Sequence, residues 1–99
     1  MYEVKVIKGM VNVFEDNLLM LRLGAGDIIH ADINHDQTMV LITYTTGNVE
    51  LRTITGRLIR NVGNGDAYKA KWLGNHITIV RRCGKADLRR MNNFIPRLL

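Results

Sequence analysis

The chain nearly repeats itself every 37 to 39 residues, and that period constrains its fold more than any other feature. Two tetrapeptides, Gly24-Ala25-Gly26-Asp27 and Gly63-Asn64-Gly65-Asp66, lie 39 residues apart. The segments after them also match: Ile28–Ile33 lies over Ala67–Trp72, with Ala31 and Ala70 coinciding without a gap. Gly9, Gly47 and Gly84, at spacings of 38 and 37, each introduce a similar segment: Met10–Phe14, Asn48–Arg52 and Lys85–Arg89. Each of these leads through a polar turn (15–17, 53–56, 91–93) to an apolar segment, Leu18–Leu23, Leu58–Val62 and Phe94–Leu99. At the N-terminus, Tyr2, Val4 and Val6 lie over Val40, Ile42 and Tyr44. A fixed period of this size marks one supersecondary unit, repeated so that each copy buries its apolar face against its neighbours.

The units read as strands. Val40, Ile42 and Tyr44 alternate with Leu41, Thr43 and Thr45, and Val49 and Leu51 alternate with Asn48, Glu50 and Arg52. Period-two alternation with β-branched residues predicts strands, and no helical periodicity persists long enough to compete. Gly47 and Gly56 supply positive φ where the chain must reverse. Pro96, in the last apolar segment, suits an outer edge, where a missing N–H costs little. With four strands a, b, c and d per unit, the chain reads b-c-d, a-b-c-d, a-b-c-d, or eleven strands in 99 residues. The expected fold is all-β, one domain over 1–99, with repeated four-stranded antiparallel units at about 1–26 (incomplete), 27–65 and 66–99.

The G-x-G-D loops, the strands Ile29–Ile33 and Tyr68–Trp72 with their central alanines, and the segments Thr46–Arg52 and Cys83–Arg89 together make the chain resemble a divergent WD-repeat-like β-propeller. The resemblance covers nearly the whole chain. Gly-Asp stands where the family has Gly-His before strand a, and the closing Trp-Asp dipeptide is absent, so the family's His–Asp network does not carry over. The resemblance implies a partial propeller of about 2.75 blades. Closed propellers have roughly four to eight blades. The expected repair is a homo-oligomeric ring, a dimer or trimer of about six or eight to nine blades with head-to-tail contacts. A fragment of a longer propeller, an open arrangement, or another sheet or barrel made of the same strands fits the same residues.

Charge is unevenly placed. Residues 1–50 carry three Lys or Arg against seven Asp or Glu, net −4; residues 51–99 carry eleven against two, net +9. This asymmetry points to an acidic partner for the second half or to association of unlike ends. No apolar run approaches the roughly 18 residues of a membrane span, and the alternating Met1–Lys8 is not a secretory signal. The single cysteine, Cys83, can form no internal disulfide. A reducing compartment is the default, so a cytoplasmic location is expected. Arg81, Arg82 and Lys85 around Cys83 would favour its thiolate, although a small residue before a turn glycine accounts for it as well.

The residues that could carry chemistry are few. The run His30-Ala31-Asp32-Ile33-Asn34-His35-Asp36 has imidazole and carboxylate ligands of a kind that hold transition metals. Ordinary turn chemistry explains His35-Asp36 equally well, and Lys69 and Lys71 replace His30 and Asp32 in the next unit, so no metal or cofactor is assigned. The G-x-G-D loops lack the lysine and helix of a phosphate loop. The chain contains no serine, and Thr46, Thr55 and Cys83 sit in no nucleophile motif, so catalysis is not expected. The candidate binding surface is basic and partly aromatic: Tyr68, Lys69, Lys71, Arg81, Arg82, Lys85, Arg89 and Arg90. Two functions follow: a non-catalytic protein–protein interaction or structural module that assembles into a ring, and, as the alternative, a polyanion- or nucleic-acid-binding module. For the second, affinity would be electrostatic and salt-sensitive. Solvated strand faces and edge charges that discourage aggregation explain the same residues without any ligand.

Overall fold

The computed structural model describes residues 1–90. They form ten strands: β1 (Tyr2–Ile7), β2 (Met10–Glu15), β3 (Leu18–Leu23), β4 (Ile28–Ile33), β5 (Met39–Tyr44), β6 (Val49–Thr53), β7 (Leu58–Asn61), β8 (Ala67–Leu73), β9 (His76–Arg81) and β10 (Ala86–Arg90). The eleventh expected strand, Phe94–Leu99 with Pro96, lies outside the described residues. The chain is all-β, in three antiparallel sheets ordered β1-β2-β3, β4-β5-β6-β7 and β8-β9-β10. Each sheet falls within one repeat unit read from the sequence. Among the described residues the first lacks an inner strand, and β1 pairs only with β2.

Local chemistry sets the hairpins. Ile7 pairs with Met10 and Glu15 with Leu18, leaving two-residue loops Lys8-Gly9 and Asp16-Asn17. All four loop residues have positive φ, between 51° and 75°. This is the turn whose twist matches paired strands, and Gly, Asn and Asp tolerate it best.

The sheets pack on one another in chain order around two clusters. Val11 and Val13 of the first sheet meet Ile28, Val40 and Ile42 of the second, with Val4, Val6, Leu21 and Ala31 around them. Leu41, Val49, Leu51 and Val62 of the second sheet meet Ala67, Ala70, Ile77 and Ile79 of the third. Strand β5 therefore feeds both clusters, and Val40, Leu41, Ile42 and Thr43 are all 0% exposed. A strand covered on both faces needs no polar alternation. Each large apolar side chain buried there contributes about 1.5–3 kcal/mol relative to exposure.

One expectation is corrected. Val4 and Val6 do not stand over Ile42 and Tyr44; their partners Val13 and Val11 put them at the positions of Leu41 and Thr43, which pair with Leu51 and Val49. Measured between the equivalent pairs Val6–Val11 and Thr43–Val49, the β1–β2 connection is one residue shorter than the β5–β6 connection. A one-residue slip exchanges the two faces of a strand. Val4 and Val6 consequently pack toward the second sheet, while Glu3, Lys5 and Ile7 share the outward face with Phe14, Asn12 and Met10. Long polar side chains partly cover that face: Lys5 Nζ lies 5.6 Å from the Phe14 ring centroid, and Arg22 Nε donates to Asn12 Oδ1 at 2.9 Å.

The landmark glycines mark where one sheet meets the next. The Ile28 N–H donates to Gly9 O and the Ala67 N–H to Gly47 O, both at 3.0 Å. A Cβ on Gly9 would stand 2.3 Å from Gly26 O, and one on Gly47 would stand 2.3 Å from Gly65 O. The second glycine of each G-x-G-D loop thus rests, backbone against backbone, on the turn glycine of the preceding unit. Gly84, the third turn glycine, has nothing among the described residues within 4 Å of a Cβ built on it.

Candidate functional site

The inner strands carry five of the polar residues singled out in the sequence, His30 and Asp32 on β4 and Tyr68, Lys69 and Lys71 on β8. Each has a register shift at the same repeat position, between Ile28 and His30 and between Ala67 and Lys69. The extra residues, Ile29 and Tyr68, are 39 apart and are turned outward, 44% and 58% exposed. Bulges of this kind re-aim side chains at sheet edges. Between them lies a groove of about 340 Å³ lined by Ile29, His30, Tyr68 and Lys69.

The middle sheet holds β8 by side-chain acceptors. Thr43 Oγ1 accepts the Ala70 N–H at 3.1 Å, and Asp32 Oδ2 accepts the Trp72 N–H at 2.8 Å. The Trp72 indole N–H returns a bond of 3.1 Å to Asp32 O. Unpaired donors on an edge strand are templates for unwanted pairing, and here they are satisfied across the sheet interface. Asp32→Ala is expected to destabilise the fold by about 2 kcal/mol, the cost of stranding a donor that a charged acceptor had satisfied. Asp36→Ala, in the exposed turn beyond, is expected to stay within about 0.5 kcal/mol. Urea unfolding of both variants checks the pair.

This use of Asp32 bears on the histidine cluster. His30 lies beside β8, whereas His35 and Asp36 are exposed in the turn after β4. Among the described residues no three His, Cys, Asp or Glu side chains are grouped to share a metal. Burial holds the His30 imidazole below its ordinary pKa. Lys69 and Lys71 push the same way, against Asp32 and the Ala70 carbonyl. Its Nδ1 is buried without a hydrogen-bond partner among the described residues.

The eight candidate binding residues divide into groups. Tyr68, Lys69 and Lys71 stand together on β8, with Lys69 Nζ 6.0 Å from the Tyr68 ring centroid. The nearby Lys71 ammonium lowers the pKa of Lys69. Arg81 ends β9 opposite Ala67, the first residue of β8, and Arg82 opens the β9–β10 turn. Arg81 Nε donates to Asp66 Oδ2 at 2.6 Å, and the Arg82 guanidinium donates to the Thr45 carbonyl. Lys85 is exposed in the β9–β10 turn. On β10, Arg90 pairs with His76 and shares the open face of the third sheet, while Arg89 pairs with Ile77 on the face toward the second.

Sequence reasoning passed over Thr43 and Asn34. Asn34 organises the β4–β5 turn: its Oδ1 accepts from Thr38 N at 2.9 Å and Met39 N at 3.0 Å. Thr43 was visible only as a hydroxyl in an otherwise apolar run. In the third unit both inter-sheet acceptors are gone. Lys71 stands at the Asp32 position and Val80 at the Thr43 position, beside Ala86 and Leu88, which repeat Val49 and Leu51. The open face of the third sheet therefore has an apolar centre, with Lys69, Lys71 and Arg90 around it.

No family model matches the chain, and no curated protein matches it. No helix among the described residues is long and apolar enough to cross a membrane.

Proposed function

We propose that this protein is a non-catalytic interaction module, built of WD-like blades, that associates head to tail with further copies of itself into a propeller-like ring in the cytoplasm. The observation that carries the reading is the unequal burial of equivalent sheets. The middle sheet is covered on both faces, and Leu51 is 0% exposed; Leu88, its repeat equivalent on the third sheet, is 58% exposed. Large apolar side chains kept at core positions of an uncovered face mark an association site.

The two end sheets suit one another. The third presents Val80, Ala86 and Leu88 without the acceptors that anchor an inner strand, and the first has no inner strand to anchor. The outward face of the first sheet offers Ile7, Met10, Phe14 and Leu19 for apolar contact and Glu3 for the lysines. Charge would steer such a contact and burial would hold it. A binding role also accords with how polar side chains are spent: Asp32, Thr43, Arg81 and Asp66 hold strands and sheets together.

Native mass spectrometry and light scattering at two salt concentrations test the proposal. A discrete dimer or trimer is expected at both. A monomer at both would overturn ring assembly. The second reading, a polyanion-binding module, rests on Lys69 and Lys71 standing side by side. It would appear as binding to single-stranded nucleic acid that falls steeply with salt.

A further inference from the structure

The inner edge of the first sheet is shaped like that of the second, except that no strand stands on it among the described residues. The Asp16 N–H donates to Met1 O, so Tyr2 and Glu15 face each other without mutual bonds, and bonding alternates along β1 from there. Glu3, Lys5 and Ile7 bond to β2, while Tyr2, Val4 and Val6 turn their backbone groups to the open edge. The Tyr2 N–H donates there to Gln37 Oε1 at 2.8 Å. Met39, at the same place in the second sheet, donates to Asn34 Oδ1 at 3.0 Å. Beyond these caps the two edges differ. Leu41 and Thr43 pair with Asp32 and His30 of β4. Val4 and Val6 hold the same positions and pair with nothing on that side among the described residues. β1 also runs along β2 without a bulge. A straight, unpaired edge is a template for another strand.

Strand β4 forms the second wall of this slot. β8 packs on β4, β5 and β6; β4 packs on β1 and β2, the counterparts of β5 and β6. The counterpart of β4 itself is the strand that is not there. Equivalent residues show the consequence. Ala70 is fully buried, whereas Ala31 is half-buried. The Ala70 and Trp72 N–H groups donate to Thr43 Oγ1 and Asp32 Oδ2. Those of Ala31 and Ile33, at the same places on β4, meet no side-chain acceptor among the described residues. Val6 stands where Thr43 would be, and the aspartate would have to come from the absent strand.

We propose that the slot between the free edge of β1 and β4 binds one extended segment of a partner protein, antiparallel to β1, with an aspartate facing β4. Main-chain bonds to Val4 and Val6 give such a segment its affinity, and its alternate side chains give specificity. The aspartate accepts the Ile33 N–H as Asp32 accepts that of Trp72. A segment without an acceptor at that point would cover the donor and leave it unpaired, which is costly. The pattern to be matched is that of β4, Ile28–Ile33, because β4 fills the equivalent slot beside β5 and carries Asp32. The slot is formed by two strands of one chain, apart from the open face of the third sheet, so it does not depend on ring assembly.

The probe is a synthetic peptide with the sequence of residues 27–36, titrated into the full chain and followed by amide NMR shifts and hydrogen exchange. In the chain alone the Val4 and Val6 amides should exchange freely. The peptide should shift the amides of Val4, Val6, Ala31 and Ile33 and slow their exchange, leaving Leu88 on the third sheet unmoved. The same peptide with Asp32→Ala should bind about tenfold more weakly, the loss expected for a hydrogen bond to a charged acceptor. A peptide N-methylated at its His30 and Asp32 nitrogens, which face β1, should not bind measurably, because it cannot join a ladder. Neither control alters the protein, so loss of binding reports the contact and not the fold. Slow exchange of Val4 and Val6 before peptide is added would mean that residues 91–99 or a second copy already fills the edge, and would overturn the proposal. So would shifts confined to other residues, or equal affinity for the N-methylated peptide.

Discussion

Gly47→Ala is expected to destabilise the protein by about 3–4 kcal/mol, whereas Gly84→Ala, at the same position one unit later, should cost only about 1–2 kcal/mol. The two glycines have nearly the same backbone, φ +89° and +91°. Each alanine therefore carries a similar left-handed penalty, about 1–2 kcal/mol. What differs is the neighbour. A Cβ on Gly47 would lie 2.3 Å from Gly65 O, 2.6 Å from Gly65 C and 2.9 Å from Asp66 N, all backbone atoms that cannot swing aside. Relief requires the G-x-G-D loop to lift. That loosens the bond from Ala67 N to Gly47 O and leaves less cover over Val49 and Ala67, which are buried at this junction. A lost backbone hydrogen bond is worth about 1 kcal/mol, and the separated apolar surfaces add a similar amount. Urea unfolding midpoints measure both variants; an unchanged m-value would show that the native state alone was affected. Equal losses for the two variants would mean that the loop does not rest on Gly47.

This contact shows where the sequence was readable and where it was not. The turn glycines and the G-x-G-D loops stood out as separate landmarks because each has a backbone demand of its own. That one seats on the other could not be read, since they lie 17 or 18 positions apart, across strands and turns, and only packing brings them together. The three sheets and nearly all strand limits followed from alternation and turn residues. The face of β1 did not, for a physical reason. In β5 both parities are apolar, because both faces are buried, so nothing in Val40–Thr43 says which residues face which neighbour. Aligning β1 to that strand by number alone hid the shorter turn at Lys8-Gly9. Asp32 drew notice as a ligand type, but its partner is a backbone N–H 40 residues later, which no side-chain pattern encodes. The bulges at Ile29 and Tyr68 carry no residue signature either. They became visible as a pair only once the two inner strands could be compared in register.

The second large effect distinguishes a covered sheet from an open one. Leu51→Ala should destabilise the chain by about 3 kcal/mol, through lost transfer free energy and the cavity left behind. Leu51 is fully buried in the cluster that joins the second and third sheets, among Leu41, Val49 and Ile77. Leu88 occupies the same place in the third unit, on a strand paired in the same way, but no fourth sheet stands over it among the described residues. In an isolated chain Leu88→Ala should therefore change stability by no more than about 0.5 kcal/mol. The side chain is not idle if copies associate, because it then fills a core position in the neighbouring junction. Its loss would appear in assembly rather than in the unfolding of the monomer, as a shift of native mass toward the single chain and an unfolding midpoint that no longer rises with protein concentration. Leu88→Lys should act more strongly in the same direction, since it adds a third ammonium beside Lys69 and Lys71 and leaves it to be buried without a partner. Unfolding at two protein concentrations, for the parent and these three variants, separates the cases. Concentration dependence in the parent and in Leu51→Ala but not in the Leu88 variants places the contact on the third sheet. Concentration dependence that survives Leu88→Lys would move the association surface elsewhere, with the exposed Leu18, Leu19 and Met20 on β3 the next apolar group to test.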